Sequence, residues 1–477
     1  MRAGICYAEE LKSLVVCFSC NTRNLSSIMK IVVVGGGFAG LNLIKNLWDE
    51  KGVEIILVDR NNYHFFPPLL YQVSTSFIEA SNISHPFRRL FGPQRNVRFH
   101  MGTLLQIFPE KKEILTDGGT YAYDMLVLAM GTETNFFGMQ NIAEKAWPMK
   151  TIDEAQELRN HVLLNLEKAS REPDPQARER LLNIVICGGG PTGVELAGML
   201  AELGRHIAPR EYPDIPDIQK ARIYLVDAGK ALLGPMSQTA QEEAYKVLSG
   251  LGVQIILNMA VKDYADGVAH LADGSTLETE TLIWASGVIA REAPGLPKES
   301  VGKGRRILVD AFNKVSGTGD IYAIGDICLQ TTDAAWPNGH PQVAQVALQQ
   351  GTLLAKNIRR SLRKESMKPF VYNDKGSMAI ISKYKAVADL PKFSFKGFFA
   401  WLVWLFIHIM PLVGFRSKVQ LAFSWMWSFV TNNPTLRLIL RPLPSQRALE
   451  SNQKSMQRPD VPVSEPTSKP DVKPVMG

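Results

Sequence analysis

The chain has 477 residues, of which 45% are apolar and 21% are charged, and its formal net charge is +7. This length allows two or three domains with substantial cores, and the apolar content is ordinary for a globular protein. All of the excess charge lies between Lys392 and Leu449, where there are seven cations and no Asp or Glu. A nucleic-acid-binding protein usually spreads its cations over a folded surface, so the composition argues against a nucleic-acid partner.

Residues 1–29 form an N-terminal extension before the first predicted strand. They contain a weak apolar run, "LVVCFSC", which resembles a poor secretion signal. The stretch "MKIVVVGGG" from Met29 has the form in which dinucleotide-binding chains commonly begin. We therefore interpret Met29 as the true first residue of the protein, which means that the start at Met1 is misassigned.

The first glycine-rich turn follows a β-branched run, Ile31–Val34, which is typical of a buried parallel strand. Gly35, Gly37 and Gly40 then have the spacing G-x-G-x-x-G. In this motif the glycines permit a tight turn, close approach of a pyrophosphate and close helix packing. Asp59 ends the next predicted strand, where an acid accepts hydrogen bonds from a ribose. This context predicts a dinucleotide-binding unit.

A second copy of the pattern follows a charged connector. The run Ile184–Ile186 leads to Gly188, Gly190 and Gly193, and Asp227 ends the next predicted strand. An acid at this position repels the 2′-phosphate of NADP, so we predict two adenine dinucleotides, neither of them NADP. Two ordinary glycine loops are the alternative, which is less favoured because both copies have the full context of strand, turn, helix, strand and acid.

Two such units in one chain resemble the two-dinucleotide flavoproteins. In that class the first unit binds FAD and the second, inserted into the first, binds NAD(P)H. "YDMLVLAMGT" (Tyr123–Thr132) and "TGDIYAIGD" (Thr318–Asp326) resemble the strands that complete the FAD domain, and "LIWASGV" (Leu282–Val288) resembles the strand that leaves the NAD domain. Met130 departs from the small residue usual in the first of these stretches.

The cysteines argue against a disulfide reductase or a sulfide:quinone oxidoreductase, which need a redox pair beside the flavin. Cys17 and Cys20 form a C-x-x-C pair but precede the first predicted strand. Cys187 lies inside a predicted core strand, where a thiol usually acts as a small hydrophobic group, and Cys328 and Cys6 are isolated. The eight histidines are scattered, so we predict no metal site.

Three further stretches resemble the type II NADH dehydrogenases, which are single-subunit respiratory NADH:quinone oxidoreductases. They are "NNYHFFPPLLYQVST" (Asn61–Thr75), "PQVAQVALQQG" (Pro341–Gly351) and "GSMAIISKYKAV" (Gly376–Val387). The resemblance covers about Met29 to Leu440. It implies that NADH gives a hydride to non-covalently bound FAD, which passes two electrons to a membrane quinone, menaquinone or ubiquinone, without proton pumping.

The resemblance also implies roles for individual residues. It assigns to FAD binding Gly35, Gly37, Phe38, Ala39, Gly40, Asp59, Arg60, Ala129, Gly131, Gly325 and Asp326. It assigns to NADH binding Gly188, Gly190, Pro191, Thr192, Gly193, Glu195, Asp227, Ser286 and Gly287. It assigns to the quinone Gln345, Gln349 and Lys383, and to catalysis Glu195, Gln345 and Gln349.

Simpler interpretations exist for four of these residues. Glu195 sits in the first turn of a helix, where an acid favours the helix dipole by less than about 1 kcal/mol. Gln345 and Gln349 are four residues apart, so they share a helix face, and for an unknown helix an exposed polar face is the commoner case. Lys383 is equally well interpreted as an ordinary surface lysine.

The basic stretch near the C-terminus contains two apolar segments. Phe398–Phe415 is shorter than the twenty residues needed to span a bilayer, and Val419–Thr431 places Gln420, Ser424 and Ser428 on one face. Both segments contain tryptophans, which favour the headgroup boundary, and these are Trp401, Trp404, Trp425 and Trp427. With cationic flanks these features predict a monotopic anchor on anionic lipid. The alternatives are a spanning hairpin and a buried dimer interface.

The expected fold class is therefore α/β: two Rossmann-like dinucleotide-binding domains, the FAD domain discontinuous and the NAD domain inserted, followed by C-terminal amphipathic membrane-anchoring helices. We expect the FAD domain over 30–147 and 291–390, the second part with the quinone-site helix, and the NAD(H) domain over 148–290. The anchor is expected over 391–444 and a disordered tail over 445–477.

We expect a homodimer, bound peripherally to the cytoplasmic side of the cell inner membrane. One alternative is a soluble NADH-dependent flavin or ferredoxin-type reductase, against which the apolar C-terminal segments argue. The other is a redox-sensing flavoprotein scaffold, against which the two complete dinucleotide motifs argue.

Overall fold

A computed structural model describes residues 28–215, 218, 221–431 and 437–440. The chain separates into two compact units, Met1–Arg437 and Leu438–Gly477, and only 438–440 of the second unit are described. Most of the predicted N-terminal extension and all of the predicted tail lie outside the described residues. So do 432–436 and 441–444 of the predicted anchor.

Twelve α-helices form within the described residues. They are α1 (Phe38–Lys45), α2 (Leu70–Ser74), α3 (Phe87–Phe91), α4 (Gln140–Lys145), α5 (Ile152–Ala169), α6 (Pro175–Leu182), α7 (Pro191–His206), α8 (Ala208–Glu211), α9 (Gln238–Gly250), α10 (Ala344–Leu362), α11 (Phe398–Ile409) and α12 (Phe415–Thr431). Short 3-10 turns lie at Pro67–Leu69, Ala80–Asn82, Pro109–Lys111, Lys298–Ser300, Lys303–Arg305 and Gly325–Ile327.

The strands of the same residues are mostly short. They are β1 (Met29–Val34), β2 (Val53–Asp59), β3 (Tyr63–Phe65), β4 (Ser84–Pro86), β5 (Val97–Met101), β6 (Leu104–Phe108), β7 (Glu113–Thr116), β8 (Gly119–Ala122), β9 (Met125–Leu128), β10 (Thr132–Thr134), β11 (Trp147–Pro148), β12 (Ile184–Cys187), β13 (Ile223–Val226), β14 (Gln254–Ile256), β15 (Val261–Ala265), β16 (Val268–Leu271), β17 (Thr276–Glu278), β18 (Thr281–Trp284), β19 (Val288–Ala290), β20 (Ile307–Val309), β21 (Ile321–Ala323), β22 (Cys328–Gln330), β23 (Ser377–Ser382), β24 (Lys385–Asp389) and β25 (Ser394–Gly397).

The first parallel sheet has the strand order β21-β9-β1-β2-β5. In register, Val34 of β1 lies opposite Val58 of β2 on one side and Leu128 of β9 on the other. The apolar runs are buried because helices cover the sheet, and α1 and α10 pack together on one face. These two helices approach closely at Gly351, where an added Cβ would lie 2.5 Å from the carbonyl oxygen of Ala39.

The second parallel sheet has the order β11-β18-β12-β13-β14. Cys187 of β12 lies opposite Val226 and Trp284 and is buried, as expected of a small hydrophobic group. The antiparallel pair β10 and β19 marks both crossings between the sheets. The chain therefore leaves the first sheet after β9, builds the second, and returns to the first at β21, which confirms the predicted α/β class with an inserted unit.

A smaller antiparallel sheet, β23-β24-β25, packs against α7. The contact is close because residue 198 of α7 is glycine. A Cβ at Gly198 would lie 1.6 Å from the carbonyl oxygen of Ile381, a distance that no real side chain could occupy. Glycine at this position thus allows helix and strand to touch through their backbones.

Helices α11 and α12 cover this region, but their tryptophans do not lie where the sequence predicted. Trp401, Trp404 and Trp425 are at most 5% exposed and join the main core, so their predicted place at the lipid headgroups is wrong. The physical reason is that α11 and α12 pack against the rest of the protein, and large aromatic side chains fill that interface. Trp427 alone of the four is exposed, at 53%.

The outer face of the two helices is apolar. Its exposed side chains are Phe398, Phe399, Leu402, Phe406, Ile407, Met410, Phe415, Val419, Phe423, Met426 and Trp427. Ser424 and Ser428 face inward instead, and Ser424 accepts a hydrogen bond from Asn82 at 3.3 Å. Among the described residues, helices with both the length and the apolar character needed to cross a bilayer are absent.

Three histidines, of which His64 is buried and His161 and His408 are half-buried, make the fold sensitive to acid. His64, His161 and His408 each place a ring nitrogen on a backbone carbonyl oxygen, at 2.9, 2.9 and 2.8 Å. Burial lowers the pKa of each of them to about 4. Above pH 6.5 the rings are neutral in both states, whereas between about pH 6.5 and 4 the unfolded chain binds the extra protons. Stability is therefore lost as the pH falls through this window.

We predict that His161→Gln reduces this acid sensitivity. The free energy of unfolding of the holoenzyme should fall between pH 7 and pH 4.5 by on the order of 2 kcal/mol less in the variant than in the wild type. Urea unfolding at the two pH values measures the difference. His270→Gln is the control, because His270 is exposed. An unchanged pH dependence in His161→Gln would contradict the assignment.

Candidate functional site

The two glycine-rich turns have the same backbone geometry. Gly35 and Gly188 both have a positive φ, +103° and +115°. An added Cβ would lie 2.4 Å from the carbonyl oxygen of Ala129 at the first turn and 2.6 Å from that of Ala285 at the second. Each turn thus presses against the strand end beside it, and only glycine fits.

Of the other two glycines in each motif, one faces open space and one packs against the backbone of its own turn. Gly37 and Gly190 have no atom within 4 Å of an added Cβ, so each faces open space at the N-terminus of its helix. Gly40 and Gly193 face the carbonyl oxygen of the first glycine of their own turn, at 2.0 and 1.8 Å from an added Cβ. The open position is where a pyrophosphate approaches, and the closed one fixes helix to turn.

The acid of each unit closes its turn. Asp59 Oδ2 accepts a hydrogen bond from the backbone N–H of Gly36 at 2.6 Å, and Asp227 Oδ2 accepts one from Gly189 at 2.5 Å. Burial raises the pKa of Asp59, against backbone hydrogen bonds and nearby arginines that lower it. The two carboxylates are therefore placed alike, each within reach of a ribose bound beside its turn.

A cavity of about 370 Å³ opens at the first turn. It brings together ten of the eleven residues predicted for FAD, and these are Gly35, Gly37, Phe38, Ala39, Asp59, Arg60, Ala129, Gly131, Gly325 and Asp326. Gly40 does not line the cavity, since it packs against its own turn. The cavity runs from Asp59 at the end of β2 to Asp326 after β21, across the carboxyl ends of the first sheet, where ligands of such sheets bind.

Two half-buried cations in this cavity were missed by sequence reasoning. Burial lowers the pKa of Lys150, while the nearby Asp326 raises it. Burial lowers the pKa of Arg291 as well, and both side chains line the cavity. Such cations suit a ligand with a pyrophosphate, so the residues present fit FAD. A capping box at Thr151 fixes the start of α5 beside Lys150 and was the available sequence signal.

Asp326 lines the same cavity and follows a turn that Gln350 supports from α10. Burial raises the pKa of Asp326, while Lys150 and Arg306 lower it. Gln350 is buried on α10, and its Oε1 accepts a hydrogen bond from the N–H of Gly325 at 2.7 Å. Its Nε2 is buried without a hydrogen-bond partner in the described chain. Gln350, which sequence reasoning also missed, thus holds the turn that presents Asp326.

The residues predicted for NADH lie around the second turn. Pro191 and Thr192 begin α7, and the Cα of Ser286 would lie 3.0 Å from a Cβ on Gly188. Gly287 follows and contacts the ring of Phe137, which is 61% exposed. These residues therefore border one surface at the carboxyl ends of the second sheet.

Glu195 is buried on α7, where it accepts a hydrogen bond from the backbone N–H of Ile380. Burial raises its pKa well above the ordinary value, which that hydrogen bond only partly offsets. Burial also raises the pKa of Tyr71 well above its ordinary value, and the charge of Glu195 adds to the effect. Glu195 lies beyond the first turn of α7, which contains no acid, so its predicted place in that turn is wrong.

The three residues predicted for the quinone occupy two places. Gln345 and Gln349 project from α10 toward the segment before β23. The Gln345 amide donates to the carbonyl oxygen of Gly376 at 2.7 Å, and the Gln349 amide donates to that of Asn373 at 2.9 Å. Lys383 follows β23 and lines a different, smaller cavity, with its Nζ 4.8 Å from the centre of the Tyr384 ring. The structure brings the two glutamines together and leaves Lys383 apart.

The chain matches two family models. Residues 29–351 match the pyridine nucleotide-disulphide oxidoreductase model, and residues 375–432 match the NDH2 C-terminal domain model. Two Mycobacterium tuberculosis proteins are similar over the same region. The type II NADH:quinone oxidoreductase Ndh is 36% identical over 84% of this chain and 88% of its own length, and NdhA is 35% identical over 84% and 87%.

Solved structures share the fold. NDH2 from Plasmodium falciparum in complex with NADH superposes with a TM-score of 0.79 at 22% identity and covers 87% of this chain and 100% of its own. The sulfide:quinone oxidoreductase of Aquifex aeolicus superposes with a TM-score of 0.63 at 18% identity, over 85% and 92%. At these identities the structural likeness concerns the fold alone.

We predict that Asp326→Ala yields protein depleted in FAD, since a half-buried acid that lines the cavity can accept a hydrogen bond from the ligand. The measurement is the ratio of flavin to protein after purification, with the rate of flavin release. Asp320→Ala is the control, because Asp320 is an exposed acid paired with Lys112 at 2.6 Å. Full occupancy and an unchanged release rate in Asp326→Ala would show that Asp326 does not hold the cofactor.

Proposed function

The chain belongs to the pyridine nucleotide-disulphide oxidoreductase family and, within it, to the type II NADH:quinone oxidoreductases, and from this membership we propose how its residues divide the work. The enzyme oxidises NADH and reduces a quinone without pumping protons. When bound, FAD takes the hydride from NADH and passes two electrons to the quinone. The observation that carries this conclusion is the pair of matched turns, each closed by its own acid.

The first turn holds the FAD pyrophosphate at the open N-terminus of α1. Asp59 accepts hydrogen bonds from the adenosine ribose, and Asp326 accepts one from the ribityl chain. Lys150 and Arg291 lie in the same cavity and balance the charge of the pyrophosphate and of the two acids. The support is the shared cavity, which contains both acids and both cations.

The second turn holds NADH at the N-terminus of α7. Asp227 accepts the ribose hydroxyls and repels a 2′-phosphate, which favours NADH over NADPH. The Ser286–Gly287 segment borders the same surface beside Gly188. Glu195 is buried on the same helix and accepts a hydrogen bond from the backbone N–H of Ile380, so it supports the contact between α7 and β23.

The quinone site lies where α10 meets the segment before β23. Gln345 and Gln349 present amides there, and both are held by backbone hydrogen bonds that fix their direction. An oriented amide donor next to a quinone carbonyl stabilises the charge that develops as the quinone is reduced. Lys383 lines a different cavity, so its proposed role at the quinone is a longer-range effect of its positive charge.

We predict that Gln345→Ala and Gln349→Ala slow reoxidation of the flavin by quinone by on the order of ten-fold, while reduction by NADH stays near normal. Anaerobic stopped-flow absorbance follows each half-reaction separately. Gln342→Ala is a comparison on the same segment, since its amide donates to the Asp326 carbonyl oxygen at 2.9 Å and so touches the flavin site instead. Slower flavin reduction by NADH in the first two variants would instead show that α10 borders the nicotinamide site, and the proposed quinone site would be wrong.

The outer face of α11 and α12 binds the membrane surface. It joins exposed phenylalanines, among them Phe399 at 75% and Phe406 at 66%, to cations at Arg416 and Lys418. An apolar face beside cations is the chemistry that anchors an interfacial helix on anionic lipid. We place the enzyme on the cytoplasmic side of the cell inner membrane, where it meets its quinone. We also propose that the enzyme is a homodimer. Its mass in sedimentation equilibrium tests this prediction.

We predict that Phe399→Glu with Phe406→Glu abolishes sedimentation with anionic vesicles, because two buried charges cost more than the apolar contact supplies. NADH oxidation with ferricyanide should stay within two-fold of the wild type. Point changes are preferable to deletion of the helices, because Trp404 and Trp425 complete the core. Tyr245→Glu, on the exposed surface of α9, is the control. Undiminished vesicle binding in the double variant would exclude this face as the anchor.

A further inference from the structure

The corner between α11 and α12 packs against helices of the first parallel sheet. Val413, in the turn between α11 and α12, is 6% exposed and joins the core cluster that contains Phe87 and Phe91 of α3 and the apolar side of α1. The next residue, Gly414, lies against the His85 ring, since an added Cβ would be 3.1 Å from the ring carbon Cε1. The contact therefore brings α1, β4, α3 and the start of α12 together at one corner.

The two stretches of chain that meet at this corner contain no acidic residue. Residues 80–101 include four arginines and neither Asp nor Glu, and residues 390–449 likewise lack an acid. The two stretches touch in the fold, because the Asn82 amide donates a hydrogen bond to Ser424 at 3.3 Å. Cations of both stretches are therefore brought together without carboxylates of the same stretches to balance them.

Four basic side chains surround the corner, and we call them the corner cluster. Lys45 ends α1, His85 lies on β4, Arg89 lies on α3 and Lys418 lies on α12; Arg89 is exposed and the other three are half-buried. Burial lowers the pKa of Lys45, and the charge of Lys418 lowers it further. Burial also lowers the pKa of His85, and the charges of Arg89 and Lys45 add to the effect. The four groups are thus close enough to repel one another.

Among the described residues, no acid forms an ion pair with the corner cluster. Asp49 and Glu50, which follow α1, both pair with Arg359, at 2.7 and 2.6 Å. Lys418 Nζ donates to the carbonyl oxygen of Met410 at 2.8 Å, which uses one of its N–H groups and leaves the others for a ligand. Repulsion among neighbouring like charges is relieved when an anion binds between them.

The corner cluster borders the exposed apolar face of α11 and α12. Met410 is 55% exposed, Phe415 is 83% exposed and Val419 is 51% exposed. Phe415 follows Gly414, and Val419 follows Lys418, so hydrocarbon and cations lie side by side at this end of the face. An anion that carries hydrocarbon chains matches both surfaces, whereas a free anion matches only the cations.

We propose that the corner cluster binds the phosphate of one anionic phospholipid, whose acyl chains lie along the apolar face of α11 and α12. Donors that converge from α1, α3 and α12 can each reach a different oxygen of a phosphate, which offers more acceptors than a carboxylate does. This inference rests on the membrane face proposed above and adds a defined headgroup site to it. Three of the four residues lie outside the C-terminal helices, so the lipid also holds the first dinucleotide-binding unit at the bilayer.

The test is the double variant Lys45→Gln with Arg89→Gln in the full-length holoenzyme. We expect its affinity for vesicles of equal parts phosphatidylcholine and phosphatidylglycerol to fall on the order of twenty-fold, since each cation at an anionic surface contributes roughly five-fold. Vesicle flotation measures the affinity. Flavin content and NADH oxidation with ferricyanide should stay near those of the wild type. Lys246→Gln with Lys262→Gln is the matched control, because it removes two exposed lysines on α9 and β15.

Arg89→Gln alone covers the case in which the double variant folds poorly, because Arg89 is exposed, and its affinity should fall roughly five-fold. Short-chain dihexanoyl phosphatidylglycerol, kept below its micelle concentration, separates a site from general attraction to a charged surface. In titration calorimetry we expect one such lipid to bind each wild-type chain, and none to bind the double variant. Inorganic phosphate, the free form of the same anion, should bind more weakly because it lacks the chains.

Three outcomes would overturn the headgroup site. They are vesicle affinity that falls no further in the double variant than in the control, inorganic phosphate that binds as tightly as the short-chain lipid, and short-chain lipid that binds the double variant as it binds the wild type. If the wild type and the double variant bind vesicles equally well, the membrane face stands and the headgroup site alone is wrong. A wild type that binds no vesicle would overturn the membrane face together with the site.

Discussion

The backbone contact between α7 and β23 is the constraint on which the rest of the structure depends. Gly198 brings the helix against the Ile381 carbonyl, a position that any side chain would block. The N-terminus of the same helix holds the second dinucleotide turn, and its C-terminus ends beside the smaller cavity, which α11 and α12 also border. One helix therefore links the predicted NADH surface, a buried acid and the C-terminal helices.

The local chemistry of the chain was predictable from its sequence. The turns at Gly35 and Gly188 could be recognised because each needs glycine for a positive φ and has an acid at the end of the next strand. The β-branched runs that lead into the turns predicted two parallel sheets, and the resemblance to the two-dinucleotide flavoproteins implied the inserted order. Ten of the eleven predicted FAD residues line one cavity, although their individual roles stay proposals.

What the sequence did not predict depends on contacts between distant parts of the chain. Lys150 lies before α5 but enters the flavin cavity, and Gln350 is buried beside Gly325. The tryptophans of α11 and α12 were expected at the lipid boundary because the segments were considered as isolated helices. In the fold, Trp425 donates to Gln72, more than three hundred residues earlier, and so it belongs to the core.

The central claim is that electrons enter from NADH at the second turn and leave to a quinone, with one solvent proton consumed for each NADH. Anaerobic stopped-flow mixing of the holoenzyme in weak buffer, with flavin absorbance and a pH indicator observed together, tests this directly. We expect NADH to bleach the flavin, and menaquinone or ubiquinone to restore it, with a net uptake of one proton per NADH over the full cycle. Flavin that NADH reduces but neither quinone reoxidises would contradict the claim.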